Sequence, residues 1–177
     1  MKIFISSLER HAGEFAPYSA KISLASLGIH VPGNEEGVMH INVQASHLGD
    51  RVLIRGGWQV DLQDVCSRCL EQTVYRLEEQ FTEEFTRLDE PVPGDFHENK
   101  NFWERDDFVY SGEALDLAEY LRQSFLMSLP FKVLCREDCR GLCPVCGVDR
   151  NYEECRCKEE NIDPRLRVLE EFKNKKQ

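Results

Sequence analysis

The sequence predicts an α+β fold: an antiparallel β-sheet or partly open barrel, one packed helix, and a C-terminal cysteine-rich region ending in a short helix. Three observations carry this expectation. Apolar and polar residues alternate through long runs between residues 37 and 86, which is the pattern of half-buried strands. The stretch 115–129 instead repeats its apolar residues at helical spacing. Six of the eight cysteines fall between Cys135 and Cys157. A chain of 177 residues can bury one core and carry an appendage. The expected division is a sheet-and-helix core in 1–130 and a cysteine-rich region in 131–177, able to pack with the core as one unit.

Taken in order, Lys2 to Ile5 and Lys21 to Ala25 read as short strands, and Val31-Pro32-Gly33-Asn34 as a loop. From Gly37 to Ala45, Met39, Ile41, Val43 and Ala45 point one way and His40, Asn42 and Gln44 the other. Leu48-Gly49-Asp50 is a turn. The next strand, Arg51 to Leu62, sets Val52, Ile54, Trp58, Val60 and Leu62 on one face, with Gly56-Gly57 marking a bulge or a close backbone approach. Thr73 to Thr86 resumes the alternation, with Tyr75, Leu77, Phe81 and Phe85 inward and Arg76, Glu78 and Glu84 outward. Cys66 and Cys69 therefore sit at the tip between two long strands.

Asp89 to Asn101 is rich in acid, proline and glycine and reads as an exposed loop. Phe102 to Tyr110 reads as a short strand returning to the sheet. Leu115 to Leu129 is the clearest helix, capped by Asp116 with Glu119 as the capping-box partner. Its stripe of Leu117, Leu121, Phe125 and Leu129 faces the sheet, and Pro130 ends it. A last helix begins at Asn161-Ile162-Asp163-Pro164, with Asp163 as N-cap and Pro164 in the first turn.

The cysteines carry the chemistry. Thiolates at knuckle spacing are soft ligands, and four of them suit a tetrahedral Zn2+. Eight divide into two such sites with none left over. Cys143-Pro144-Val145-Cys146-Gly147 is a strong knuckle signal, and the pair Cys66 and Cys69 has the same two-residue gap. Cys155-Arg156-Cys157 has a one-residue gap and is weaker alone. The expected ligands are Cys66, Cys69, Cys135, Cys139, Cys143, Cys146, Cys155 and Cys157, holding two Zn2+ in a zinc-ribbon-like region. Spacing alone leaves open how they divide between the sites. Zinc is favoured over iron because nothing else in the chain suggests electron transfer. A disulfide framework expects a secreted chain, and the start MKIFISSLERHAGE has no apolar signal-peptide core. Free buried cysteines fail to explain the polar, charged loop around Cys143 and Cys146.

Charge narrows the function classes. Residues 1–70 carry 6 basic and 7 acidic groups, residues 71–114 carry 4 and 13, and residues 115–177 carry 12 and 12, for a net charge of −10. A chain this acidic is a poor general binder of phosphate backbones. Any RNA contact is local or delivered by a protein partner. The densest basic groups are Arg136, Arg140, Arg150, Arg156 and Lys158, beside the cysteines, and Arg165, Arg167, Lys173, Lys175 and Lys176 on the last helix. No run of about 18 apolar residues predicts a membrane helix. Catalytic zinc keeps an open position and usually takes His or carboxylate ligands. All five histidines lie outside the cysteine clusters, so a non-enzymatic, cytoplasmic protein with no small-molecule substrate is expected.

Four motifs together resemble one family. They are Cys66-Ser67-Arg68-Cys69-Leu70, Leu129-Pro130 before the cysteine cluster, Gly141-Leu142-Cys143-Pro144-Val145-Cys146-Gly147, and Ile162-Asp163-Pro164-Arg165-Leu166. Over about residues 35–172 the chain resembles the YceD family of large ribosomal RNA subunit accumulation proteins of bacteria and chloroplasts. The resemblance implies a factor supporting 23S rRNA accumulation and large-subunit biogenesis, with rRNA or ribosomal proteins of pre-ribosomal particles as partners and no catalytic activity. The alternative is a zinc-stabilised protein–protein adaptor that does not act on RNA. The C-x2-C pair is the part shared across that family. If it forms a complete site, Cys66 and Cys69 join Cys135 and Cys139, leaving Cys143, Cys146, Cys155 and Cys157 as a second, local site.

Overall fold

The structure, a computed structural model, describes residues 1–10, 12–88 and 108–157. Its centre is a five-stranded open sheet in the order β2-β3-β4-β5-β6, formed by Ala16–Ser23, Val38–His47, Arg51–Val65, Gln72–Arg87 and Phe108–Tyr110. The first four strands pair antiparallel, and β6 pairs parallel to β5. The sheet is thus mixed and open rather than a partly open barrel. A second, two-stranded sheet pairs β1 (Lys2–Phe4) with β7 (Ala114–Asp116). The helices are α1 (Ile5–Glu9) and α2 (Ala118–Ser128), with a 3-10 turn at Leu24–Leu27.

Alternation gives the sheet one apolar face. Met39, Ile41, Val43 and Ala45 of β3 are buried, as are Val52, Ile54, Trp58, Val60 and Leu62 of β4 and Leu77, Phe81 and Phe85 of β5. Helix α2 lies on that face through Leu121 and Phe125, with Leu117 just before it. Trp58 and Phe125 pack with centroids 6.0 Å apart, and the Trp58 indole N–H donates to Ser124 Oγ at 2.9 Å. That bond satisfies the one polar atom of a buried indole.

The chain meets Gly56-Gly57 without a bulge, since the register runs unbroken on both sides of β4. The glycines serve close approach instead. A Cβ on Gly56 would stand 2.3 Å from the Asn42 carbonyl oxygen, and one on Gly57 2.3 Å from that of Glu79.

Helix α2 starts later than its apolar stripe suggests. Leu115 pairs with Ile3 in the small sheet, and the Leu117 N–H donates to the Met1 carbonyl at 2.9 Å. Strand pairing therefore takes Ala114–Asp116. The Asp116 carboxylate still accepts the Ala118 N–H at 3.0 Å, but Glu119 turns to Gln123 and Arg122 rather than back to the cap. Leu129 lies past the helix and is partly exposed. The strand expected over Phe102 to Tyr110 is seen at Phe108–Tyr110. The loop expected over Asp89 to Asn101 and the last helix lie outside the described residues.

Candidate metal centres

Strands β4 and β5 run on past the core, and the hairpin tip carries Cys66 and Cys69. The tip is closed by backbone bonds from the Cys66 N–H to the Glu71 carbonyl and from the Leu70 N–H to the Cys66 carbonyl, each 2.8 Å. Leu70 takes a left-handed backbone, φ 63°, at this turn.

The segment after α2 docks on the tip. The Ser67 N–H donates to the Val133 carbonyl at 2.8 Å, and the Leu142 N–H to the Arg68 carbonyl at 2.9 Å. The Arg68 guanidinium donates to the Cys139 carbonyl at 2.8 Å and the Glu137 carbonyl at 3.4 Å. Gly141, at φ 70°, passes so close that a Cβ would stand 2.8 Å from the Arg68 oxygen. These contacts bring Cys135 and Cys139 beside Cys66 and Cys69. The sulfurs of Cys66 and Cys139 lie 3.7 Å apart, and those of Cys69 and Cys135 3.6 Å apart.

The second group is local. Cys143 and Cys146 flank a turn in which the Gly147 N–H donates to the Cys143 carbonyl at 2.9 Å. The Val145 N–H meets the Cys143 sulfur at 3.4 Å, and the Cys157 N–H the Cys155 sulfur at 3.4 Å. Cys155 approaches Cys143 at 3.2 Å and Cys146 at 3.6 Å. The two halves of this loop are tied by an isolated bridge between Leu142 and Asp149.

Within each group of four, all sulfurs lie within 4.8 Å of one another, and none of the eight cysteines is in a disulfide. Metal–sulfur bonds of about 2.3 Å in a tetrahedron place sulfurs about 3.8 Å apart, whereas a disulfide needs about 2.05 Å. Both groups fit a tetrahedral ion. Their ionisation points the same way. Burial opposes the Cys66 thiolate, but backbone N–H groups of Cys135, Cys69 and Arg68 bring its pKa down to about 6. Burial and the neighbouring thiols push Cys135 up to about 12. In the second group, the backbone N–H groups of Cys146 and Val145 bring Cys143 down to about 6. The Cys155 and Cys146 side chains push Cys157 up to about 12. In each group a lowered thiol thus stands near a raised one, and a bound cation would draw off the raised thiol's proton.

The groups differ in exposure. Cys66, Cys69 and Cys139 are buried, with Leu134 and Leu142 packed against them. In the second group Cys143 is buried and Cys146 exposed.

Sequence reading passed over Asn151. Its Nδ2 donates to the Cys139 sulfur at 3.4 Å, and its Oδ1 accepts the Arg140 N–H at 2.8 Å. It links the second loop to the first group. The available signal was the pair Asp149 and Asn151, whose side chains favour tight local turns; the Asp149 carboxylate accepts both the Asn151 N–H and Nδ2. Tyr152 was passed over too, and its hydroxyl donates to the Glu71 carboxylate at 3.0 Å, back on the hairpin. Among the predicted basic residues, Arg136 meets Asp138 at 3.5 Å, while Arg140 and Arg150 line a shallow cavity of about 420 Å³ with Tyr152 and Glu153. Lys158 and the last-helix cations lie outside the described residues.

Comparison with known proteins matches residues 54–173 to the family of the large ribosomal RNA subunit accumulation protein YceD. An uncharacterized protein of Mycobacterium bovis is 28% identical over 174 residues, covering 97% of this chain and 81% of the relative. Uncharacterized proteins from two strains of Mycobacterium tuberculosis match to the same extent. No solved structure matches significantly. Among the described residues, no helix is long and apolar enough to cross a membrane.

Proposed function

The chain belongs to the YceD family, and from that premise we propose that it is a non-catalytic factor supporting 23S rRNA accumulation and assembly of the large ribosomal subunit. The observation that carries the reading is the family match, which spans both cysteine groups. Each group offers four sulfurs to one Zn2+. Four thiolates saturate a tetrahedral ion, leaving no position for water or substrate, so the role assigned to the metal is structural.

The first ion would fasten the segment after α2 to the β4–β5 tip, so that the core 1–130 and the region 131–177 act as one unit. The second would hold the exposed loop in one shape. Arg140 and Arg156 are exposed on this framework, and a rigid backbone lowers the entropy lost when such side chains bind. RNA or ribosomal protein is met there, while the acidic sheet surface faces away from RNA or meets a basic ribosomal protein.

Sedimentation tests the reading. The full chain is expected to travel with precursors of the large subunit, and RNase treatment to release it. A chain that stays at the top of the gradient, with its zinc retained, would overturn the proposal. Reversing Arg136, Arg140, Arg150 and Arg156 to Glu together is expected to abolish association without loss of zinc.

A further inference from the structure

Glu79 and Glu83 stand on the core-facing side of β5. Glu79 pairs with Trp58 and Glu83 with Ile54, both of which are buried, and Phe81 between them pairs with Gly56. Glu79 is exposed and Glu83 half-buried at the open margin of this otherwise apolar face, so both carboxylates are within reach of a partner. Among the described residues, no Lys or Arg pairs with either one.

The two acids flank an open groove of about 610 Å³ between β5 and α2. Its floor is aromatic: Tyr120 packs against Phe81 at 4.7 Å and Phe108 at 4.9 Å between centroids. Met127 forms one wall and is 86% exposed. Its flexible thioether suits an adaptable apolar contact. Among the described residues, no basic residue lines the groove. Burial pushes the Tyr120 phenol well up, and Glu83 and Glu79 push the same way.

We propose that this groove docks a basic segment of a partner protein. A Lys or Arg stem lies over Phe81 and Tyr120, its charged head sits between Glu79 and Glu83, and an adjoining apolar residue packs on Met127. The proposal rests on the ribosome-assembly reading for the identity of the partner. Proteins that assemble on RNA bind it through Lys and Arg, so a ribosomal protein of the large subunit offers such a segment. Charge complementarity selects it.

The test uses the full chain and a short fluorescein-labelled peptide of arginines interspersed with leucines, followed by anisotropy. Glu79→Gln with Glu83→Gln is expected to weaken binding about tenfold or more. Glu36→Gln with Glu78→Gln removes the same charge elsewhere and is expected to change it by about twofold or less. Met127→Ser is expected to weaken the peptide but not an arginine–glycine control. Equal losses from both charge pairs would reduce the effect to net charge and overturn the proposal. So would absence of peptide binding, including through occupation of the groove by the chain's own residues 89–107. Sedimentation separates the two readings. If the Glu79/Glu83 variant still travels with particles, the groove proposal fails and the assembly role stands. If the wild type binds peptide through the groove but never meets particles, the assembly role fails.

Discussion

The Asn151 side chain, on the second cysteine loop, donates a hydrogen bond to the sulfur of Cys139 in the first group at 3.4 Å. The two groups are therefore not independent. A donor to a thiolate removes part of its charge and fixes its direction, and such outer partners commonly carry about 10–100-fold in metal affinity. Asn151→Ala is expected to release the first ion more readily. Competition with a chromophoric chelator should show weaker binding at that site by a factor in this range. Unchanged affinity would make the contact incidental.

Gly141 and Gly147 offer a matched pair. Both have left-handed backbones, φ 70° and 75°, but a Cβ would strike the Arg68 oxygen only at Gly141, and Gly147 has open space. Gly147→Ala should cost about 1 kcal/mol from the backbone alone, and Gly141→Ala about 3 kcal/mol. Thermal unfolding of the two variants tests the order. Leu70 gives the converse case: its φ is 63° and its side chain is largely exposed. Leu70→Gly is expected to stabilise by about 0.5–1 kcal/mol.

Much of this was legible in the sequence, for reasons that differ by element. The inward set of β3 and β4 follows from strict alternation, because a one-residue slip would expose all of it. Where other forces entered, the reading drifted. Lys21 to Ala25 showed only part of β2, which runs over Ala16–Ser23, and the 3-10 turn takes Leu24 and Ala25. Ala114–Asp116 follows its distant partner β1 rather than the local helix pattern. The parallel pairing of β6 rests on three residues and a long-range return, which local periodicity does not encode. Glu79 and Glu83 break the apolar pattern on their own face and were passed over for that reason. The sulfurs of 66, 69, 135 and 139 come together through Arg68 and Gly141, and spacing alone does not reveal that pairing.

The two cysteine groups should respond differently to loss of one sulfur. Cys66 is buried where the hairpin meets the segment after α2, whereas Cys155 belongs to the exposed loop. Cys66→Ser is expected to remove several kcal/mol of folding free energy and broaden the unfolding transition. Cys155→Ser should leave the core transition nearly in place. Calorimetry on zinc-loaded protein distinguishes them, and equal effects would contradict the division of roles.

Metal uptake should expel protons. At neutral pH, Cys66 and Cys143 are largely ionised, with pKa values brought down to about 6. Cys69, Cys135, Cys155 and Cys157 are raised above the usual thiol value and hold their protons. An ion must displace these, so binding weakens as pH falls. Below about pH 6 the lowered thiols are protonated too, and each group gives up one further proton. Titration calorimetry in buffers of different ionisation enthalpy should show proton release per ion rising as pH is lowered through this value. A constant release would contradict the ionisation pattern.

Native mass spectrometry of the full chain tests the central claim most directly. The account predicts two zinc ions per chain, falling to one when Cys143→Ser and Cys146→Ser are combined, with the first ion still held. A metal-free chain, one lightened by disulfide formation, or one whose two ions are lost together in that variant would contradict it.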